Sequence, residues 1–95
     1  MIRSFADAET ECLFRDDECP SRWQAFRAVA LRKLDMVEAA VRVEDLRAPP
    51  GNRLEKLKGD RRGRWSIRIN DQWRIVFRWD GDAPEDVEIV DYHRG

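Results

Sequence analysis

The sequence predicts an α+β fold in which two N-terminal α-helices pack on one face of an antiparallel β-sheet. Three observations lead there. Apolar residues at helical spacing are confined to the first half of the chain. The run Ala48-Pro49-Pro50-Gly51 closes that half, because two prolines remove two backbone donors and Gly permits a turn. Beyond it, apolar and charged residues alternate as they do in half-buried strands. Ninety-five residues suit one domain, expected to span 1–95.

Met1 to Phe5 alternates weakly and is expected to form a short first strand. Asp7 is placed to cap a helix over Ala8–Asp16, with Glu9 and Glu11 favourably near its N-terminus. Its apolar stripe is narrow: Cys12, Leu13 and Phe14. Pro20 marks the next boundary, and Ser21-Arg22-Trp23-Gln24 reads as a capping box. Trp23, Phe26, Ala30, Leu34, Val37 and Val41 then follow at spacings of three and four, one face of a second helix.

After Gly51, residues 53–57 alternate, and Lys58 to Gly63 is a polar loop. Trp65, Ile67 and Ile69 share one strand face; Trp73, Ile75, Phe77 and Trp79 share another. Asp80 to Pro84 is a turn, and Val87 to His93 a last strand. The central hairpin can be set in register, because opposed residues must share a face. A two-residue loop at Asn70-Asp71 would oppose Ile67 to Arg74. A three-residue loop, Asn70-Asp71-Gln72, opposes Ile67 to Ile75 and Trp65 to Phe77, and keeps one face apolar. The same register opposes Arg68 to Arg74 and Arg64 to Arg78. Like charges so placed are destabilising, so this face needs acidic neighbours or an anionic partner.

The formal net charge of −1 conceals a strongly basic block. Residues 53–78 carry nine basic side chains, among them Lys56, Lys58, Arg61, Arg62, Arg64, Arg68, Arg74 and Arg78, against three acidic ones. Residues 79–95 carry one basic and six acidic. Two readings stand: a localised anionic ligand, or arginines paired with the acidic end of the chain. A basic face on a small sheet suits an extended phosphate backbone, with Lys56, Arg61, Arg62, Arg64, Arg68 and Arg78 as RNA-binding candidates. No apolar run approaches the ~18 residues of a membrane span, and the N-terminus lacks the apolar stretch of a secretory signal. The expected location is therefore the cytoplasm, with no membrane partner. Two cysteines, Cys12 and Cys19, and one His exclude a disulfide framework or a Cys/His zinc site. No Gly-rich phosphate loop is present, and neither metal nor cofactor is expected.

Metal-free RNA cleavage needs a base for the 2′-OH, an acid for the leaving 5′-oxygen, cations at the phosphorane, and splayed bases. Glu55, Asp91 and His93 are candidates for proton transfer; an unperturbed His pKa of roughly 6.5 suits it. Lys58, Arg68 and Arg74 are candidates to hold phosphate, and Tyr92 to stack on a base. Each has a plain structural reading: His93 as a solvated tail residue, Glu55 as an ion-pair partner, the tryptophans as core. Strand alternation groups Tyr92 with Glu88 and Val90, and His93 with Ile89 and Asp91. Either set can face the arginines if the strand bulges.

The stretches Leu57-Lys58-Gly59-Asp60-Arg61-Arg62-Gly63-Arg64-Trp65-Ser66-Ile67, Gln72-Trp73-Arg74-Ile75-Val76-Phe77 and Asp91-Tyr92-His93, with the Ile2-Arg3-Ser4-Phe5 opening, resemble the HigB-like killer toxins of the RelE/ParE superfamily. The resemblance implies a RelE-like fold and a metal-independent messenger-RNA endoribonuclease acting in the ribosomal decoding site. It also implies a cognate antitoxin, a helix-turn-helix HigA-like protein, through which alone operator DNA is reached. By position, Lys58 and Arg74 match the family's phosphate-handling cations, and Asp91, Tyr92 and His93 its catalytic cluster. Where the best-described members carry a His three residues before that Lys, this chain has Glu55. Two other functions stay open at this point: a ParE-like, non-enzymatic gyrase poison, and an inactive toxin kept as an antitoxin-binding module.

Overall fold

The computed structural model describes residues 1–61 and 63–92. Helix α1 covers Ala8–Asp16, as the sequence predicts, and Asp7 caps it by accepting the Thr10 amide at 2.7 Å. It ends where Asp17 turns left-handed (φ 58°). Of its stripe, Leu13 is wholly buried. Helix α2 covers Arg27–Ala39. The sheet is antiparallel in the order β1 (Glu55–Lys56), β2 (Arg64–Arg68), β3 (Trp73–Asp80), β4 (Ala83–Asp91). Leu13, Ala30, Leu34 and Val37 from the helices meet Ile67, Ile75, Phe77 and Val87 from one sheet face in a common core. No helix among the described residues is long and apolar enough to cross a membrane.

The expected capping box does not form. Residues Ser21–Phe26 make a 3-10 helix that follows Pro20 without a side-chain cap, and Gln24 Nε2 instead donates to the Cys19 carbonyl at 3.1 Å. The tighter turn aligns residues three apart. Trp23 and Phe26 thereby both reach the Trp73 ring, at centroid distances of 6.3 and 5.3 Å. Ring contacts worth ~0.5–1.5 kcal/mol each beyond burial outweigh a cap of ~1 kcal/mol. The apolar face of α2 is also shorter than its spacing predicts. The helix stops at Ala39, and Val41 is 68% exposed. The chain leaves there because Asp45 accepts the amides of Val41 and Arg42, at 2.9 and 3.0 Å. Those backbone bonds, Arg42 first, hold the Asp45 carboxyl below its ordinary range.

The expected first strand is a single parallel bridge, Phe5 to Val87, flanked by Arg3 N donating to Pro84 O (2.8 Å) and Ala6 N to Val87 O (2.9 Å). It covers the free edge of β4, as does Thr10 Oγ1, which accepts the Ile89 amide at 3.0 Å. The strand expected over 53–57 contracts to Glu55–Lys56, because Arg53 is left-handed at φ 47°. β4 begins earlier than expected: Gly81, at φ 64°, and Asp82 suffice to turn the chain, and Asp80 pairs with Ala83.

The central hairpin has the predicted three-residue loop. Ile67 opposes Ile75, Trp65 opposes Phe77, Arg68 opposes Arg74 and Arg64 opposes Arg78. Asn70 Oδ1 sets this turn by accepting the amides of Gln72 and Trp73, at 2.9 and 2.8 Å. Between β3 and β4 the register slips by one residue: Arg78 opposes Glu85, but Val76 opposes Glu88. The extra residue belongs to β4, where Asp86 adopts φ 52° and its amide donates to Ser4 Oγ at 2.9 Å.

Candidate nucleic-acid interface

That slip decides what the arginine face contains. Without it, Glu85, Val87, Ile89 and Asp91 would continue on the side of Arg78. With it, Glu88, Val90 and Tyr92 lie beside Val76 and Arg74, and Asp91 pairs with Trp73 on the other side. Ser66 and Val76, between the arginines, are wholly buried. The side chains of Arg64, Arg68 and Arg74 are only 28%, 31% and 15% exposed, so they lie down across the sheet.

Arg74 is the centre of the arrangement. Its Nη1 donates to Ser66 Oγ at 3.1 Å, its guanidinium carbon lies 4.7 Å from the centroid of the Tyr92 ring, and Glu55 Oε1 is 4.0 Å from Nη1. Glu55 reaches this face because β1 pairs it with Ser66. Like charge is relieved elsewhere by local acids. Arg64 bonds Glu88 at 2.9 Å, and Arg68 pairs with Asp71 in the hairpin loop. Arg78 makes no ion pair among the described residues.

An open groove of ≈ 500 Å³ runs along Arg53, Glu55, Arg68, Asn70, Arg74 and Tyr92. A second hollow, of ≈ 470 Å³, adjoins it through Glu55 and Tyr92 and extends past Lys56 and Lys58. The two make one track with Glu55 and Tyr92 at its middle. Lys56 also lies over the Trp65 ring, 5.6 Å from its centroid.

The structure thus gathers Glu55, Arg74 and Tyr92, with Arg68 on one side and Lys58 on the other. It does not gather Asp91, whose Oδ2 accepts Gln72 Nε2 at 3.0 Å. Arg64 is committed to Glu88, and Arg78 stands apart from the groove lining. Arg61 lies in the 3-10 turn Gly59–Arg61. Arg62 and His93 lie outside the described residues. Sequence reasoning missed two participants. Ser66 was legible as the residue between Arg64 and Arg68 on their own face; Arg53 was not, because its place depends on a backbone turn that alternation does not reveal.

No three His, Cys, Asp or Glu side chains among the described residues are grouped to hold a metal ion. The two cysteines line a separate hollow of ≈ 330 Å³ between α1 and Pro20. Burial pushes both thiols above their ordinary pKa, which disfavours the nucleophilic thiolate.

The architecture is that of small bacterial toxins of the YoeB/ParE kind. The fold overlays on the YoeB–YefM complex from Staphylococcus aureus (TM-score 0.55, 17% identity, 99% of both chains). It also overlays on a YoeB/ParE toxin from Agrobacterium tumefaciens (TM-score 0.54, 23% identity, 97% of this chain and 98% of that one). Sequence narrows the class. Residues 3–93 match the family described as RelE-like toxin of type II toxin-antitoxin system HigB, and the chain belongs to that family. Toxin HigB-1 of Vibrio cholerae is 41% identical over 88 residues, 87% of this chain and 90% of that protein. Endoribonuclease HigB of Proteus vulgaris is 48% identical over 42 residues, 43% of this chain and 45% of that protein.

Proposed function

We propose that this toxin is a metal-independent endoribonuclease that cleaves messenger RNA on the arginine face, within the translating ribosome. The observation that carries the proposal is the meeting of a carboxylate, a guanidinium and an aromatic ring within 4.0–4.7 Å at the middle of a basic track. Arg74 is preorganised: Ser66 fixes one edge of its guanidinium and Tyr92 covers a face, which leaves donors for two phosphate oxygens. Glu55 takes the proton from the 2′-OH as that oxygen attacks phosphorus. The P–O5′ bond breaks, and the departing oxygen takes a proton from His93, assigned from its place beside Tyr92 in sequence. The products are a 2′,3′-cyclic phosphate and a 5′-hydroxyl. Lys58 neutralises charge at the far side of Glu55, and Arg68 adds to the positive charge of the groove beside Arg74.

The antitoxin in this reading is a HigA-like helix-turn-helix protein that blocks the track and alone carries the toxin to operator DNA. The site of action is the cytoplasm. Primer-extension mapping of transcripts after induction tests the proposal. Discrete new 5′ ends that vanish with Arg74→Ala support it. Growth arrest with a DNA-damage response and intact transcripts would establish a non-enzymatic poison instead, and a chain that binds antitoxin without arresting growth an inactive module.

A further inference from the structure

We infer that Arg53 forms a second phosphate subsite in the same groove, gripping the phosphodiester next to the one cleaved. The inference rests on the nuclease reading above and adds a residue to it. Arg53 lines the ≈ 500 Å³ groove with Arg68, Arg74 and Tyr92. Of its two cationic companions there, Arg68 is paired with Asp71, and Arg74, held by Ser66 and Tyr92, serves the reacting phosphate. Arg53 has no acidic partner among the described residues, so its planar fork of donors is uncommitted.

The backbone at Arg53 is held there at a cost. It is left-handed, φ 47° and ψ 54°, a conformation that residues with a Cβ avoid. The turn is over-determined by its neighbour. Asn52 is wholly buried; its Oδ1 accepts the Lys33 ammonium at 2.6 Å, and its Nδ2 donates to the carbonyls of Leu46 and Ala48, both at 3.2 Å. The Arg53 amide closes the turn on Pro50 O at 3.1 Å. Strain of this kind persists where the surroundings impose it, and here they aim an unpaired cation along the track. Arg74 takes the reacting phosphate, so the next phosphate along the strand is the one left for Arg53.

The test is the salt dependence of binding to a short 2′-O-methyl RNA oligonucleotide, which lacks the attacking hydroxyl, followed by fluorescence anisotropy between 50 and 200 mM salt. For single strands the slope of log K against log salt is about −0.7 per phosphate neutralised. Arg53→Gly removes the side chain at a φ that glycine accepts freely, so its melting temperature stays at or above that of the wild type. It is expected to flatten the slope by about 0.7. Arg53→Lys restores most of that slope, and Arg15→Gln, a charge lost from the helical layer, leaves it unchanged. If the wild type binds with a slope that Arg74→Ala reduces and Arg53→Gly does not, the second subsite is refuted and the nuclease surface stands. If the wild type does not bind at 50 mM salt, the RNA-gripping surface fails and the subsite with it.

Discussion

Replacing Arg74 separates what the guanidinium does for the fold from what it does for catalysis. Arg74→Ala leaves the buried Ser66 hydroxyl without its donor, at ~1–3 kcal/mol. It removes a cation–π contact with Tyr92 worth ~0.5–1 kcal/mol at a partly exposed site. The pairing with the half-exposed Glu55 at 4.0 Å adds ~0–1 kcal/mol. The total, about 1.5–5 kcal/mol, is a large share of the ~5–15 kcal/mol that stabilises a domain. At ~4–8 °C per kcal/mol for a domain of this size, the melting temperature falls by about 6–40 °C. Cleavage falls by ~10²–10³, the cost of removing one preorganised donor from a developing oxyanion. Arg74→Lys keeps the charge but loses the planar fork, so it recovers part of the stability and leaves cleavage at least about tenfold down. Calorimetry and primer extension, the latter below the melting temperature of each variant, give the two numbers independently. A lysine variant that cleaves like the wild type would refute the bidentate role. An alanine variant that melts lower but cleaves normally would remove Arg74 from the chemistry altogether.

Glu55→Gln keeps the shape of the side chain and removes the base; cleavage is expected to drop ~10²–10⁴-fold with an unchanged circular dichroism melt. Asn52→Ala strips hydrogen bonds from Lys33, Leu46 and Ala48 inside the fold, and should lower unfolding free energy by about 3 kcal/mol in urea titrations. Burial, with repulsion from Arg32 and Arg68, pushes the Lys33 ammonium below the usual lysine range. The folded chain therefore releases that proton more readily than the unfolded one. Stability relative to Lys33→Met rises with pH from that lowered value to the unfolded value near ~10.4, and is flat on either side. Denaturant titrations from neutral pH upward check this, and a falling difference would contradict it.

Where one local rule dominated, the fold was legible in the sequence. Asp7 and Asp17 bracket α1 because capping and a left-handed exit are settled within a few residues. The hairpin register followed because only one loop length keeps Ile67, Ile75, Trp65 and Phe77 on a common face. Where distant packing competed with a local signal, the local signal lost. Ser21 does not cap α2, because Trp23 and Phe26 are drawn onto Trp73 from another strand. The candidate site divides in the same way. Arg74 was placed by the hairpin register, whereas the place of Glu55 depends on the pairing of β1 with β2 at Ser66. Tyr92 could be assigned to the arginine face only after the irregularity at Asp86 was known, and the same irregularity turns Asp91 away.

That single supernumerary residue in β4 makes the facing of the C-terminal side chains sensitive to length as well as to composition. Losing the Asp86 codon would leave an uninterrupted ladder with Glu88 still opposite Val76, whereas losing the Val90 codon, past the irregularity, would rotate every downstream side chain by half a turn. Asp91 would then oppose Arg74 and Tyr92 would oppose Trp73, and the guanidinium of Arg74 would lose its aromatic lid. Ser4, which grips the Asp86 amide from the opposite end of the polypeptide, holds the extra residue out of the ladder.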